Sequence, residues 1–235
     1  MKEDTTKTLV EHILELRSVI LSSAIYIVLG MLVSFLFSKQ IFDFLIEPLR
    51  AMGQSKMIYT SIIEPATTEF RIAFYVSLLL TSPLILRKIW WFISPGLLHN
   101  EIVMIKKHFF IICALFVCGI VFAYYVVIPN TISVLMNWSF GKDSIFLPKM
   151  SENIMFILVM MLAFGISFQI PVIMVVLDKL NLIPFAKQRK WWREYTACIA
   201  IISAVITPPD IISMLFLAVP LILLYYVTIF VAHLR

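Results

Sequence analysis

Polar side chains that could do chemistry are scarce in this sequence. Of its 235 residues, 61% are hydrophobic and only 14% are charged. Gln169 is the one strongly polar residue deep inside an apolar stretch, and a polar group at membrane depth usually faces protein or water because exposure to lipid is costly. Histidine, cysteine, aspartate and glutamate do not converge within any apolar stretch. The pattern therefore indicates neither a catalytic centre nor a metal site, and it disfavours a membrane enzyme.

Two carboxylates stand near the ends of apolar stretches. Glu15 lies in an amphipathic segment, in which Leu9, Ile13 and Leu16 share one helical face. Glu101 follows a Pro-Gly turn in a connection that also carries aromatic residues. Judged from these residues alone, Glu15 is a solvated carboxylate at the membrane surface, and Glu101 could form an ordinary salt bridge with a neighbouring cation.

Six apolar segments position these groups, and each is long enough or nearly long enough to cross a bilayer as a helix, which takes about 20 residues. They lie at approximately 18–38, 70–90, 108–128, 153–177, 194–208 and 211–232. We therefore predict an all-α integral membrane protein with six transmembrane helices, built as one membrane domain over residues 1–235. The fifth segment is short, and either a thinned bilayer or a tilted neighbouring helix would cover the difference.

Lysine and arginine concentrate in the N-terminal segment, in the second and fourth connections and in the C-terminal tail. Because positive residues stay cytoplasmic, we predict that both termini face the cytoplasm. The net charge of +5 indicates contact with anionic membrane lipid rather than with nucleic acid.

Five short motifs follow one another along the chain. The sequence HILELR at 12–17 has the form HxxELR, and a connection with two prolines and a final glutamate spans 83–101. Further motifs lie at 122–129, at 163–171, and at 207–210 together with 218–220. In this order they resemble the TatC family of twin-arginine translocase receptors, and the resemblance covers essentially the whole chain.

The resemblance implies a function, a location and partners. A TatC-like protein is a concave helical bundle that binds twin-arginine signal peptides and helps to carry folded proteins across a membrane, driven by the proton-motive force. The partners implied are single-span proteins of the TatA and TatB type, cargo signal peptides and other TatC copies. No cofactor and no enzymatic activity are implied. The location implied is the bacterial inner membrane, or a mitochondrial inner or thylakoid membrane if an organelle encodes the protein.

Residue roles also follow from the resemblance. Signal-peptide binding is implied for Glu15, Glu101 and Phe92. Docking of a partner helix is implied for Gln169, Thr207 and Met214, although many relatives carry glutamate where this chain has Gln169 and glutamine where it has Met214. The residues with an implied structural role are Pro48, Pro83, Pro95 and Asp210. Gln169 could instead form a hydrogen bond between helices of the same fold.

Two other functions fit a polytopic helical protein. A small secondary solute transporter would usually need an internal repeat and several polar groups at the midplane, and the sequence offers little beyond Gln169. A purely structural membrane scaffold would have no use for Glu15 and Glu101 on one side of the membrane. Both remain alternatives to the receptor at the level of sequence.

Overall fold

The chain folds as a helical bundle in a computed structural model, which describes residues 9–52, 57–93, 99–137, 149–179, 182–206 and 211–233. Within these ranges the only extended pairing is an isolated bridge between Ile58 and Lys149. The α-helices are α1 (Leu9–Leu36), α2 (Ser38–Ala51), α3 (Glu64–Ile93), α4 (His99–Phe122), α5 (Ile128–Asn137), α6 (Met150–Ser167), α7 (Ile170–Lys179), α8 (Phe185–Lys190), α9 (Trp192–Ile206) and α10 (Ile211–His233). A π-helical turn, Ala123–Val127, joins α4 to α5.

Five helical segments of the described chain are long and apolar enough to cross a membrane: Ile13–Leu36, Glu64–Phe92, Phe109–Met136, Met150–Lys179 and Ser213–Ala232. The fifth predicted span corresponds to α9, which has only 15 residues. Its length is about 22 Å at 1.5 Å per residue, whereas the hydrocarbon core is about 30 Å thick. The predicted all-α architecture with a short fifth span is therefore confirmed. The first helix ends at Leu36, close to the approximate bound of 38, because Phe37 interrupts it and Ser38 begins α2.

Helix α2 was not identified in the sequence as a separate element. Its apolar residues Leu45, Ile46 and Leu49 are buried on one side, as in an amphipathic helix. Pro48 lies inside α2 and has no N–H to donate to the carbonyl of Phe44 four residues earlier. The hydroxyl of Tyr124 donates to that carbonyl instead, at 2.5 Å, so a tyrosine of the third span satisfies the acceptor that the proline leaves open.

The third and fourth spans are both interrupted next to a proline. Pro129 cannot donate to the carbonyl of Tyr125, and the π-helical turn lies at this point. Pro171 likewise cannot donate to Ser167, and α6 ends there. The amide of Gln169 then bonds the carbonyl of Ile166 at 2.9 Å, a tighter turn that separates α6 from α7.

Helices α4 and α6 approach each other closely at two glycines. A Cβ on Gly119 would lie 2.5 Å from the carbonyl oxygen of Phe164, and a Cβ on Gly165 would lie 2.9 Å from the ring of Phe116. Phe164 is fully buried, and its ring contacts that of Phe122 at a centroid distance of 5.7 Å. The small residues therefore allow close packing of the two helices, against backbone at Gly119 and against a side chain at Gly165, which small residues permit in membrane bundles.

A cap closes the end of the bundle at which α3 and α6 begin. The buried carboxylate of Glu64 accepts hydrogen bonds from the amide and hydroxyl of Thr60, at 2.6 and 2.9 Å, and from the amide of Ser151, at 3.2 Å. The amide of Met150 donates to Ile58 at 3.2 Å beside the isolated bridge. One carboxylate thus fastens the connection before α3 to the start of α6.

Candidate functional site

Helices α1 and α3 form an antiparallel hairpin. The hydroxyl of Ser77 donates to the carbonyl of Ile27 at 2.7 Å. Nearer the cap, the rings of Phe35 and Phe70 meet at a centroid distance of 5.5 Å. Residue numbers rise along α1 while they fall along α3, so the start of α1 and the end of α3 lie at the same end of the hairpin.

This register places two of the residues implied in signal-peptide binding at similar depth. Glu15 lies twelve residues before Ile27, or about 18 Å along α1, and Phe92 lies fifteen residues after Ser77, or about 22 Å along α3. The difference is less than one helical turn. Both side chains are half-buried, and each makes a contact in the chain. The hairpin therefore holds a carboxylate and a phenyl ring at the end opposite the cap.

The first turn of α4 belongs to the same end. Only residues 94–98 separate the end of α3 at Ile93 from the start of α4 at His99, and a connection of that length spans at most about 20 Å. Glu101 lies in this first turn, and its side chain is outside the described part of the structure. Trp90 anchors the end of α3 in a small apolar cluster with Ile112 of α4. The backbones that carry Glu15, Phe92 and Glu101 are thus brought to one end of the bundle.

Such an arrangement can receive a flat cation. A carboxylate accepts two parallel hydrogen bonds from a guanidinium, and partial burial strengthens the attraction. Phe92, at a depth similar to that of Glu15, supplies an apolar surface on which an aliphatic side chain could pack. Among the residues that the structure describes, no group of three or more His, Cys, Asp or Glu side chains is placed to hold a metal ion.

Gln169 is bonded inside the fold. Its side chain is 5% exposed, and its Nε2 donates to the carbonyl of Ile112 in α4 at 3.1 Å. The Oε1 atom is buried without a hydrogen-bond partner among the described residues. Gln169 therefore connects the break between α6 and α7 to α4. This is the hydrogen bond within the fold that the sequence offered as the alternative to partner docking. Docking of a partner helix by Gln169 stays a prediction.

We expect Gln169→Leu to destabilise the protein by about 1 kcal/mol, because an interhelical hydrogen bond in a membrane is lost. Gln169→Glu is the matched comparison, since the carboxyl group keeps the size of the amide. The melting temperature of the purified protein in detergent and the yield of co-purified single-span partner would be measured together. Loss of partner with unchanged melting would contradict the structural role and favour docking.

The other residues singled out in the sequence fall in several places. Met214 is half-buried in α10. Pro83 lies within α3, where the carbonyl of Leu79 that it leaves open accepts the hydroxyl of Ser82 at 2.7 Å. Pro95, Thr207 and Asp210 lie outside the described residues.

A buried pair of hydrogen-bonded residues near α8, Gln188 and Tyr225, was not predicted from the sequence. Gln188 is 3% exposed, and its Nε2 donates to the carbonyls of Met174, at 3.0 Å, and Ile183, at 2.7 Å. The hydroxyl of Tyr225 in α10 donates to the carbonyl of Gln188 at 2.6 Å. Three elements thereby meet at one buried glutamine, which the sequence hides among lysines and arginines. We call Gln188 and Tyr225 the latch.

Comparisons with known proteins agree with this fold. The family model described as Sec-independent protein translocase protein (TatC) matches residues 11–220. A protein of that name from Carboxydothermus hydrogenoformans is 36% identical over 98% of this chain and 94% of the relative, and one from Magnetococcus marinus is 34% identical over 94% of this chain and 82% of the relative. A crystal structure titled as the twin-arginine translocase receptor TatC superposes with a TM-score of 0.87 at 30% identity, over 95% of this chain and 98% of that one.

Proposed function

The chain belongs to the TatC family of Sec-independent protein translocase proteins, and we propose that it is the receptor that binds twin-arginine signal peptides and begins the transport of folded proteins. The observation that carries the proposal is the meeting of Glu15, Phe92 and the first turn of α4 at one end of the bundle. Proteins of the TatC family are components of a protein translocase, and the family is not one of enzymes.

Glu15 and Glu101 are proposed to accept the two arginines of the signal peptide. Each guanidinium is planar and presents a fork of donors that matches a carboxylate, so two neighbouring arginines call for two carboxylates. Lysine offers a compact ammonium without that two-point geometry. A site built this way would distinguish a twin-arginine peptide from a twin-lysine peptide, because only the first can satisfy both carboxylates in the paired geometry.

Phe92 is proposed to support the bound peptide. Its half-buried ring lies near the depth of Glu15 and marks the apolar side of the site. A signal peptide has a hydrophobic segment after its arginines, and that segment needs an apolar path into the membrane. Phe92 would begin this path along the hairpin of α1 and α3.

The protein is a multi-pass membrane protein, and its named relatives are bacterial. We propose that it acts in the bacterial inner membrane with single-span partners of the TatA and TatB type and with further copies of itself. Docking of a partner helix is proposed at Gln169, Thr207 and Met214. Ile166 and Ile173 are exposed on either side of the break next to Gln169 and offer an apolar face to such a helix.

Site-specific photocrosslinking tests the receptor directly. A photoreactive residue would replace Trp91, an exposed neighbour of Phe92, in the full-length protein embedded in membranes. We expect crosslinks to a twin-arginine signal peptide and at least about tenfold fewer to its twin-lysine version, the loss that one charge-assisted hydrogen bond would cause. The same residue placed at Ile62, in the cap, serves as the matched control. Equal crosslinking of the twin-arginine and twin-lysine peptides at position 91 would contradict the proposed receptor function.

A further inference from the structure

A basic and aromatic segment is held rigidly beside α10. The latch fixes α8 through the hydrogen bonds of Gln188 to α7 and of Tyr225 to Gln188. The ring of Tyr225 also stacks on that of Tyr195 in α9, at a centroid distance of 4.4 Å. The segment 187–193 between these anchors therefore has a fixed position at the start of α9, where the chain enters the membrane.

The segment presents cations and indoles together. Its exposed cations are Lys187, Arg189, Lys190 and Arg193. Lys187 lies over the ring of Trp191, with Nζ 5.1 Å from the centroid, and the guanidinium carbon of Arg193 lies 5.2 Å from that of Trp192. Within the described residues 182–206 the acidic residue is the exposed Glu194, and Asp178 of α7 accepts the amide of Phe185 at 2.9 Å, so the four cations outnumber the neighbouring carboxylates. The surface is strongly positive.

A cavity of about 300 Å³ opens on this surface. Arg189, Trp192, Tyr226 and Ile229 line it. A guanidinium, an indole and a phenol surround its polar part, while Ile229 and the half-buried Ile222, two helical turns earlier, form an apolar face of α10 that runs into the membrane. One end of the cavity suits an anion and the other suits a hydrocarbon chain.

We propose that this cavity binds the headgroup of an anionic phospholipid, with the phosphate at Arg189 and an acyl chain along Ile229. Arginine recognises phosphate oxygens with paired hydrogen bonds, and tryptophan and tyrosine favour the headgroup level of a bilayer. An anionic lipid is attracted by the neighbouring cations, whereas a zwitterionic lipid gains nothing net from them. An acidic protein segment would satisfy the cations but would leave the apolar side of the cavity without a matching partner.

Native mass spectrometry of the full-length protein in detergent tests the proposal with dioleoyl phosphatidylglycerol as the probe. We expect Arg189→Gln to weaken binding of that lipid about tenfold, the size of one charge-assisted hydrogen bond. Arg71→Gln, at an exposed arginine near the capped end of α3, is the matched control and should bind like the wild type. Phosphatidylcholine with the same chains should bind both forms weakly and equally.

Several results would overturn the lipid site. These are equal binding of phosphatidylglycerol and phosphatidylcholine, equal weakening by Arg71→Gln, and an unchanged affinity in Arg189→Gln. Displacement of the lipid by inorganic phosphate at the same concentration would reduce the site to a simple anion site. Unchanged lipid affinity together with weaker binding of an acidic partner peptide would assign the surface to protein. Because Arg189 is exposed, its variant should keep the melting temperature of the wild type, which makes a loss of binding specific.

Discussion

Alanine in place of Glu15 or Glu101 is expected to weaken binding of a twin-arginine signal peptide by about tenfold to a hundredfold. Each substitution removes one acceptor of a charge-assisted pair, worth about 1.5–3 kcal/mol. The loss should appear in transport of a folded cargo as well, because a peptide that does not bind cannot begin the reaction. Binding to the protein in nanodiscs would be measured with a fluorescent signal peptide, and transport with membrane vesicles under a proton gradient.

The peptide and the receptor should be varied together. With the twin-lysine peptide, Glu15→Ala should reduce the binding affinity little further, because that peptide cannot make the two-point contact with the carboxylate. Glu152→Ala is a matched control, since this carboxylate is exposed near the start of α6 at the capped end and pairs with Lys149 at 3.0 Å. Equal losses for Glu15→Ala and Glu152→Ala would contradict a specific site and reduce both effects to general charge.

The spans could be predicted from sequence because the bilayer limits the choices. A segment of about 20 apolar residues must satisfy its own backbone, and only a helix does so. The details of those helices depended on partners elsewhere. Pro48 signals a free carbonyl at Phe44, but nothing local indicates that Tyr124, 80 residues after Phe44, donates to it. The π-helical turn before Pro129 was equally invisible, since a proline predicts a kink without its geometry.

The candidate site was predictable only in part. Motifs named Glu15, Phe92 and Glu101, yet their meeting depends on the register of the α1 and α3 hairpin, which Ser77 and Ile27 define by a contact across 50 residues. Gln169 stood out because it is polar in an apolar stretch, and its buried bond to Ile112 gives that polarity a partner. Gln188 escaped notice for the opposite reason: its neighbours are charged, so its burial leaves no trace in the local pattern.

Gly119→Ala should destabilise the bundle more than Gly30→Ala or Gly165→Ala. The new Cβ would lie 2.5 Å from the carbonyl oxygen and 2.9 Å from the carbonyl carbon of Phe164, and backbone atoms cannot rotate away as a side chain can. Overpacking typically costs about 1–3 kcal/mol, and a clash with backbone belongs at or above the upper end of that range. The melting temperature of the purified protein in detergent would measure it.

Gly30→Ala is the matched control for Gly119→Ala. Its Cβ would lie 3.0 Å from Cγ2 of Thr81 and 3.2 and 3.3 Å from Oγ and Cβ of Ser77, all side-chain atoms and none closer than 3.0 Å, so we expect a smaller loss. An equal fall in melting temperature for the two variants would show that the contact between α4 and α6 is not the tight point of the fold. A larger effect at Gly119 has a functional corollary, because α4 carries Glu101 in its first turn. Pushing α4 away from α6 should displace that turn and weaken signal-peptide binding, although Gly119 lies about 27 Å along the helix from Glu101.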